Sequence, residues 1–543
     1  MSARIESVCK DVFTIRNGTA VLEDRAIPAD VVVEDGRISG IVPGRLPAGA
    51  FGDAPSIDAE GCLVTPGFID VHAHSDTYLL IEPDAPSKIS QGITTEINGN
   101  CGGSCAPRFG EARLSGDWSS MTYPLPGGGT ASGPGPTWRS LAEYRELFDE
   151  TRPAINSVQL TGHNTLRASV TGYAPRRAEP DETAAMCRLF EKCIDEGSSG
   201  LSTGLVYQPG KWCGREELAS LLETAAKRGK FYTTHMRSEG DRIEEAIDEV
   251  LDLAAATGVR TEISHLKTAG RRNWGKIDAV LEKLQKAVDA GLILGSDRYP
   301  FCAAGTELDF VFPDWAQAGG AVAELERLRD PVLRARIVEE TAASREDLED
   351  IMIGGGWSGL TRPWSGRTLG EAAKALGKSP AETACDFVLA DGARTGAFFF
   401  SMSEENMRKI LSMPWVAPGS DASLRAPYGP LGADHPHPRA YGTMPEFFRI
   451  AGENSSGGIC ETVRRMTSMP AKRFGLKMRG RLEEGCFADI AVWDPRRFAN
   501  DATYSDPHRF CKGMKAVLVN GVLSYADGKP TGRRAGRFLQ AQA

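Results

Sequence analysis

Between residues 66 and 419, this 543-residue chain alternates short apolar runs with longer amphipathic stretches, and that alternation limits its fold more than any other feature. Runs of β type fall near residues 66–71, 93–97, 155–161, 200–203, 230–234, 261–264, 291–295 and 415–419. Helix-type stretches separate most of them: Leu141–Asp149, Thr183–Glu196, Arg215–Arg228, Asp241–Thr257 and Lys276–Ala290. Strand and helix in alternation imply an α/β fold with a parallel sheet, and eight strands fit a closed (β/α)8 barrel of the TIM type. An open doubly wound sheet is the competing arrangement. Against it, no Gly-x-Gly-x-x-Gly follows a strand in the setting that fold requires.

The chain ends follow a different rhythm. Val31–Ile41 reads as a hairpin around Asp35-Gly36, Phe487–Trp493 as a strand, and Ala516–Tyr525 as a hairpin around Asn520-Gly521. Isolated hairpins are marginal in water. Residues 1–64 and 475–543 are therefore expected to pack together as one small β sandwich beside a barrel of residues 65–474. Two stretches interrupt the barrel pattern. Residues 109–138 are rich in Gly, Ser, Pro and Thr and read as a long loop after strand two. Residues 305–400 separate strands seven and eight by far more than one helix, with Arg327–Ala343 and Leu369–Leu376 of helical type, and read as an inserted lid subdomain.

Composition excludes several classes. A net charge of −9 without a strongly basic run argues against nucleic acid. No apolar run reaches membrane-spanning length, and Met1–Val8, with Arg4 and Glu6, lacks a signal core, so the cytoplasm is the expected location. Twelve cysteines without a repeating spacing read as reduced. Cys9, Cys62, Cys187, Cys193, Cys213, Cys302, Cys385, Cys460, Cys486 and Cys511 are assigned to packing, while Cys101 and Cys105 stand apart.

A barrel carries its active site at the C-terminal ends of its strands. Strand one there leads to His72-Ala-His74, whose i, i+2 spacing aims both imidazoles the same way. Strand two leads to Asn98-Gly-Asn-Cys101, strand five ends in His235, strand six in His265, and strand eight in Gly419-Ser-Asp421. Four of the eight histidines thus fall at strand ends. Imidazole and thiolate are preferred zinc ligands. A carboxylate such as Asp421 beside a metal-activated water completes the parts for amide hydrolysis.

These residues and the motifs around them resemble the amidohydrolase superfamily and, within it, the N-acyl-D-amino-acid deacylase (D-aminoacylase) family. The resemblance runs over nearly the whole chain. Its motifs are Thr65–His74, Gly162-His-Asn-Thr-Leu-Arg167, Ser202–Tyr207, His235-Met-Arg-Ser-Glu239, Ser264-His-Leu-Lys267, Gly419-Ser-Asp421, His437-Pro-Arg439 and Gly480–Asp489. Strand four, Gly200-Leu-Ser-Thr203, lacks the lysine that bridges two metals in many superfamily members. The deacylase group uses a cysteine after strand two instead, a place that Cys101 fits more closely than its rival Cys105. The resemblance implies that Cys101, His235 and His265 hold a tight zinc, that His72 and His74 form a weaker second site bridged by Cys101, and that Asp421 is general base and then acid.

It also implies that Tyr207, Lys267 and Arg439 bind the free carboxylate of a small N-acylated substrate, in keeping with the pairing of Arg and Lys with carboxylates. His163 is either a further substrate contact or a structural hydrogen bond; His435 and His437 read as rim structure, and His508 receives no role. Two segments depart from the family pattern, the 109–138 loop and the spacer 422–438 with Arg425, Tyr428 and Asp434. The expected activity is zinc-dependent hydrolysis of N-acyl-D-amino acids. The alternatives are hydrolysis of another, xenobiotic or cyclic, amide, and a non-catalytic scaffold. Oligomeric state stays open.

Overall fold

The computed structural model describes residues 12–47, 50–51, 54–113, 122–124, 130–132, 138–344, 347–453 and 457–541. Cys9 and much of the 109–138 loop lie outside the described residues.

Both chain ends enter one nine-stranded sheet. From the N-terminal side come Val12–Val21, Ala26–Glu34 and Arg37–Pro43, with Ser56–Asp58 beside the first. From the C-terminal side come Ile490–Trp493, Met514–Val519, Val522–Ala526 and Lys529–Pro530. Leu63–Pro66 joins the two arms, running parallel to Val12–Val21 and antiparallel to Ile490–Trp493. Each hairpin turns where its sequence predicts. Asp35 and Gly36 have φ of 50° and 77°, and Asn520 and Gly521 have 49° and 83°, the left-handed geometry that a two-residue turn needs. Val31, Val33, Ile38, Ile490, Val492 and Leu518 pack into one shared apolar core. The two ends share a core and are hydrogen-bonded parts of a single sheet. One segment departs from that assignment: Phe538–Leu539 leaves the sheet and pairs in parallel with Asn156–Gln159.

Among the described residues, eight parallel-paired strands fall at or near the expected runs, and the two-residue segments Thr161–Gly162 and Phe538–Leu539 pair in parallel beside them. The eight are β1 (Phe68–Asp70), β2 (Ile93–Asn98), β3 (Asn156–Gln159), β4 (Gly200–Gly204), β5 (Phe231–His235), β6 (Arg260–Ile263), β7 (Leu294–Arg298) and β8 (Val416–Pro418). One arc pairs β1 with β2 and β2 with β3. The other runs from Thr161–Gly162 through β4, β5, β6 and β7 to β8. Hydrogen bonds pass between the arcs at both ends. Ser199 N–H donates to Gln159 O (2.9 Å) at one, and Val71 N–H donates to Pro418 O (3.3 Å) at the other. The apolar run before His72 is not one strand. It breaks at Gly67, so that Leu63–Pro66 serves the end sheet and Phe68–Asp70 the parallel set. Strand β7 lies downstream of the predicted run, because Ile293 is largely exposed while Ser296, Asp297 and Arg298 are buried.

Between β7 and β8 the chain adds a further group of strands and helices. Ala304–Glu307, Met352–Ile353 and Gly396–Phe399 form a three-stranded antiparallel sheet, and Leu308, Ile337, Leu369 and Phe387 share its core. The predicted helix over 327–343 is two helices, Gly320–Arg329 and Pro331–Ser344. Pro331 cannot continue the first but suits the start of the second. Leu369–Leu376 forms as predicted, with a capping box between Thr368 and Glu371.

Asp309 and Glu324 of this stretch share a hydrogen bond, and both carboxyls lie above their usual range, raised first by burial and then by repulsion from Glu307 on Asp309 and from Asp309 on Glu324. Acids with raised folded-state values bind more protons folded than unfolded, so their contribution to stability is greatest below about pH 4 and is lost as pH rises through the raised values. Glu324→Gln is therefore expected to flatten the fall in Tm between about pH 6 and 9. Equal slopes for variant and wild type in thermal melts would contradict this.

All described cysteines are free thiols, with Cys101, Cys187, Cys302 and Cys460 half-buried and the others buried. Among the described residues no helix is long and apolar enough to cross a membrane.

Candidate metal centre

The ends of β1, β2, β5, β6 and β8 bring four imidazoles, one thiol and one carboxylate together. His72 Nε2 lies 3.3 Å from Cys101 Sγ, and His265 Nε2 also lies 3.3 Å from it. His74 Nε2 lies 3.1 Å from Asp421 Oδ1, and His72 Nε2 lies 3.5 Å from the same oxygen. Two donor sets result: His72, His74, Cys101 and Asp421, and Cys101, His235 and His265, with atoms in each set within 4.8 Å of one another. Cys101 belongs to both.

Local backbone geometry accounts for that convergence. Cys101 sits in a tight turn after β2 at φ 51°. Its neighbour Asn100 donates to Ile97 O (2.9 Å) and accepts from Thr233 Oγ1 (3.0 Å), and Gly102 N–H donates to Ser202 Oγ (3.1 Å). Gly204 at the end of β4 abuts this turn so closely that an added Cβ would collide with Cys101 O. His265 and Asp421 also hold positive φ, 34° and 50°, conformations that non-glycine residues rarely adopt and that concentrate at functional sites.

A second layer orients the imidazoles. His72 Nδ1 lies 3.1 Å from Asp297 Oδ2, and Asp297 Oδ1 accepts from His265 N–H (2.9 Å). Glu239 pairs with Lys267, lies 2.8 Å from His265 Nδ1 and 3.4 Å from His235 Nε2. Carboxylates behind ligating histidines fix tautomer and ring direction. Asp297 escapes sequence reasoning because it lies in a polar strand. Glu239 lies inside the run that begins at His235, but nothing in its spacing gives it a role.

Charge in the site favours a cation. Burial pushes the Cys101 thiol up, but His72 and His265 outweigh it and hold the group well below its usual range. Burial likewise opposes ionisation of Asp421, and Arg439 and His265 overcome it. Burial pulls His72 down, yet Asp297 and Cys101 drive it well above its ordinary value. Against the same pull, Asp421 and Cys101 raise His74 to about 9, and Glu239 and Cys101 raise His235 to about 9. The anionic groups draw protons onto the imidazoles, and a divalent cation would supply the same positive charge. The donors fit zinc: thiolate and imidazole are its preferred ligands, and spacings of 3.3 Å around Cys101 Sγ approach the roughly 3.3–3.8 Å edges of a tetrahedral zinc site. His235 Nδ1 is buried with no hydrogen-bond partner.

Tyr207, Lys267 and Arg439 line the same cavity, of about 1770 Å³. Arg439 Nη1 lies 2.8 Å from Asp421 Oδ2, and its Nη2 donates to Gly305 O at 3.3 Å. Tyr207 stacks edge-on to His235, with ring centroids 5.1 Å apart. His163 is the exception. It does not line the cavity; its Nε2 lies 2.7 Å from Glu217 Oε1 in a buried cluster with Arg167. The reason is local: β3 stops at Gln159, and His163 is the first residue of a helix, which turns its side chain away from the site. Cys105 is buried, and burial and Asp76 push its thiol well up. His437 donates to Ala303 O (3.0 Å) and His435 to Tyr504 O (2.6 Å), whereas His508 accepts from Tyr441 Oη–H (2.9 Å). Arg425 and Asp434 pair across the 422–438 spacer at 2.7 Å.

Strand order, donor sets and second layer together define a metal-dependent hydrolase. The chain belongs to the amidohydrolase family, whose sequence profile matches residues 56–525. It is 33% identical to N-acyl-D-glutamate deacylase of Alcaligenes xylosoxydans xylosoxydans over 95% of this chain and 93% of that protein. It is 32% identical to the D-aminoacylase of the same organism, over 95% and 94%. Among solved structures, it is similar to N-acyl-D-glutamate deacylase from Bordetella bronchiseptica, complexed with zinc and a phosphonate mimic of the tetrahedral intermediate (TM-score 0.78, 32% identity, 97% and 99% coverage). It is likewise similar to a D-aminoacylase studied for its binuclear metal centre (TM-score 0.79, 30% identity, 98% and 100% coverage).

Proposed function

We propose that this protein is a zinc-dependent deacylase that hydrolyses N-acyl-D-amino acids to a carboxylate and a D-amino acid. The observation that carries the reading is the pair of donor sets sharing Cys101 Sγ, with Asp421 in one of them and Arg439 beside it. We read the two strand arcs as one (β/α)8 barrel over residues 65–474, with the chain-end sheet and the 305–400 unit as separate parts and that unit lying over the cavity. Similarity to deacylases over nearly the whole of both chains supports both parts of the reading.

Cys101, His235 and His265 would hold the tighter zinc, and His72 and His74, with Cys101 between, the weaker. Zinc, when bound, supplies Lewis acidity to the scissile carbonyl and acidity to water. Asp421, kept ionised by Arg439, takes the proton from the attacking water and delivers it to the departing nitrogen. Asp297 and Glu239 keep His72 and His265 turned toward the reaction. Arg439, Lys267 and Tyr207 bind the substrate carboxylate, Arg439 through a paired hydrogen bond.

Amine release from a panel of N-acetyl-D- and N-acetyl-L-amino acids, with and without chelator, tests the reading. D-selective, chelator-sensitive release is expected. Silence across the panel with zinc bound would move the substrate to another amide class. The carboxylate anchor has its own test. Arg439→Ala is expected to lower kcat/KM for N-acyl-D-amino acids roughly 10–100-fold relative to N-acyl amines lacking the carboxylate, the effect of losing a charged hydrogen bond. The ratio matters because any effect on Asp421 is common to both substrates. An unchanged ratio would remove Arg439 from that role.

A further inference from the structure

Lys88 is the only lysine among the largest fully buried side chains of the described residues. It lies on the short helix Pro86–Ile89, between β1 and β2. Its Nζ is 2.8 Å from Glu96 Oε1, 3.1 Å from Asp70 Oδ2, 2.9 Å from Ser420 Oγ and 2.9 Å from Ala422 O. Two of those acceptors flank Asp421. A third, Asp70, lies two residues before His72 and also accepts from Ser420 N–H (2.8 Å) and Ser420 Oγ–H (2.5 Å). Ala422 O accepts in addition from His74 N–H (3.3 Å), and Asp421 N–H donates to His72 O (2.7 Å).

The ammonium thus bonds to the residue before Asp421 and to the residue after it. It ties both to the segment that bears the two histidines. Asp421 occupies the left-handed region at φ 50°, a conformation that persists only where surrounding contacts over-determine it. Burying a lysine costs several kcal/mol unless it is fully paired, so a lysine placed here without a role in the site would be an expensive way to fill space.

We infer that Lys88 is a positioning residue for Asp421: its contacts to Ser420 Oγ and Ala422 O, anchored by Asp70 and Glu96, hold the Ser420–Ala422 segment so that the Asp421 carboxylate stays against His74 and in reach of the substrate. The inference rests on the deacylase reading, in which Asp421 moves the proton.

Lys88→Met alone leaves Asp70 and Glu96 buried with no cation, so the test uses Lys88→Met/Glu96→Gln, which removes one carboxylate with the ammonium. In folded, zinc-loaded protein, kcat is expected to fall on the order of 10–100-fold, the cost of misplacing a reacting group by about 1 Å. KM should stay within about threefold and zinc per chain should be unchanged. A crystal structure of the variant should show the Asp421 carboxylate displaced from its 3.1 Å contact with His74 Nε2. Unchanged kcat per bound zinc, activity lost only in proportion to zinc, or an undisplaced Asp421 would each overturn the inference. If the double variant does not fold, Ser420→Ala carries the test by the same criteria. If the wild type releases no amine from any N-acyl amino acid, the deacylase reading fails on that result, and the position of Asp421 in the variant structure decides the role of Lys88 alone.

Discussion

Asp421→Asn is expected to abolish nearly all turnover while leaving zinc bound. Asparagine preserves the size of the side chain and an oxygen that can face His74 Nε2, now 3.1 Å from Asp421 Oδ1, but it cannot take the proton from water or return it to the amine. Loss of a positioned general base costs on the order of 10²–10⁴ in rate. The donor set of Cys101, His235 and His265 does not include Asp421, so zinc content should fall little. The measurement is kcat beside zinc per chain by atomic absorption. Retained turnover would remove Asp421 from the mechanism, and zinc lost in step with activity would make it a ligand only.

Cys101→Ala should have the opposite signature, losing metal first and activity as a consequence. Its sulfur is the one atom common to both donor sets. Removing an outer partner of a metal ligand costs 10–100-fold in affinity, and removing a shared thiolate is expected to exceed that, emptying both sets at micromolar zinc. Cys105→Ala is the control. Cys105 is buried under Trp138, whose indole N–H donates to Cys105 O (2.8 Å), and its alanine variant should keep both metal and turnover. Equal zinc content in the two variants would overturn the assignment of Cys101.

The parts of this molecule that were legible in the sequence are those where local pattern and final environment agree. His72 and His74 follow an apolar run at a spacing that fixes their common direction, and His235 and His265 close strands rich in apolar or β-branched residues. The two hairpin turns carry the residues that their backbone conformation requires. The parts that were not legible break that agreement. Strand β7 is polar because Ser296 and Asp297 serve the site's interior, so hydrophobicity placed the strand too early and hid the carboxylate behind His72. His163 follows an apolar run as the ligands do, yet a helix begins at that residue, and one turn of backbone decides which way the ring faces. Lys88 looks like an ordinary surface lysine in a turn, because nothing in its neighbourhood foretells four oxygens arriving from β1, β2 and the loop after β8.

The sheet that joins the chain ends also sets a clock on synthesis. Leu63–Pro66 leads directly into the strand bearing His72 and needs Ile490–Trp493 as its neighbour, and those residues leave the ribosome more than four hundred positions later. At about 5–20 residues per second, the nascent chain carries an open strand edge for roughly 20–90 s, and exposed edges of this kind recruit other chains. A chain ending before Ile490 is therefore expected in the insoluble fraction even though every proposed metal ligand is present, and an expression trial of that truncation would show whether the Ile490–Pro530 arm governs recovery of the whole.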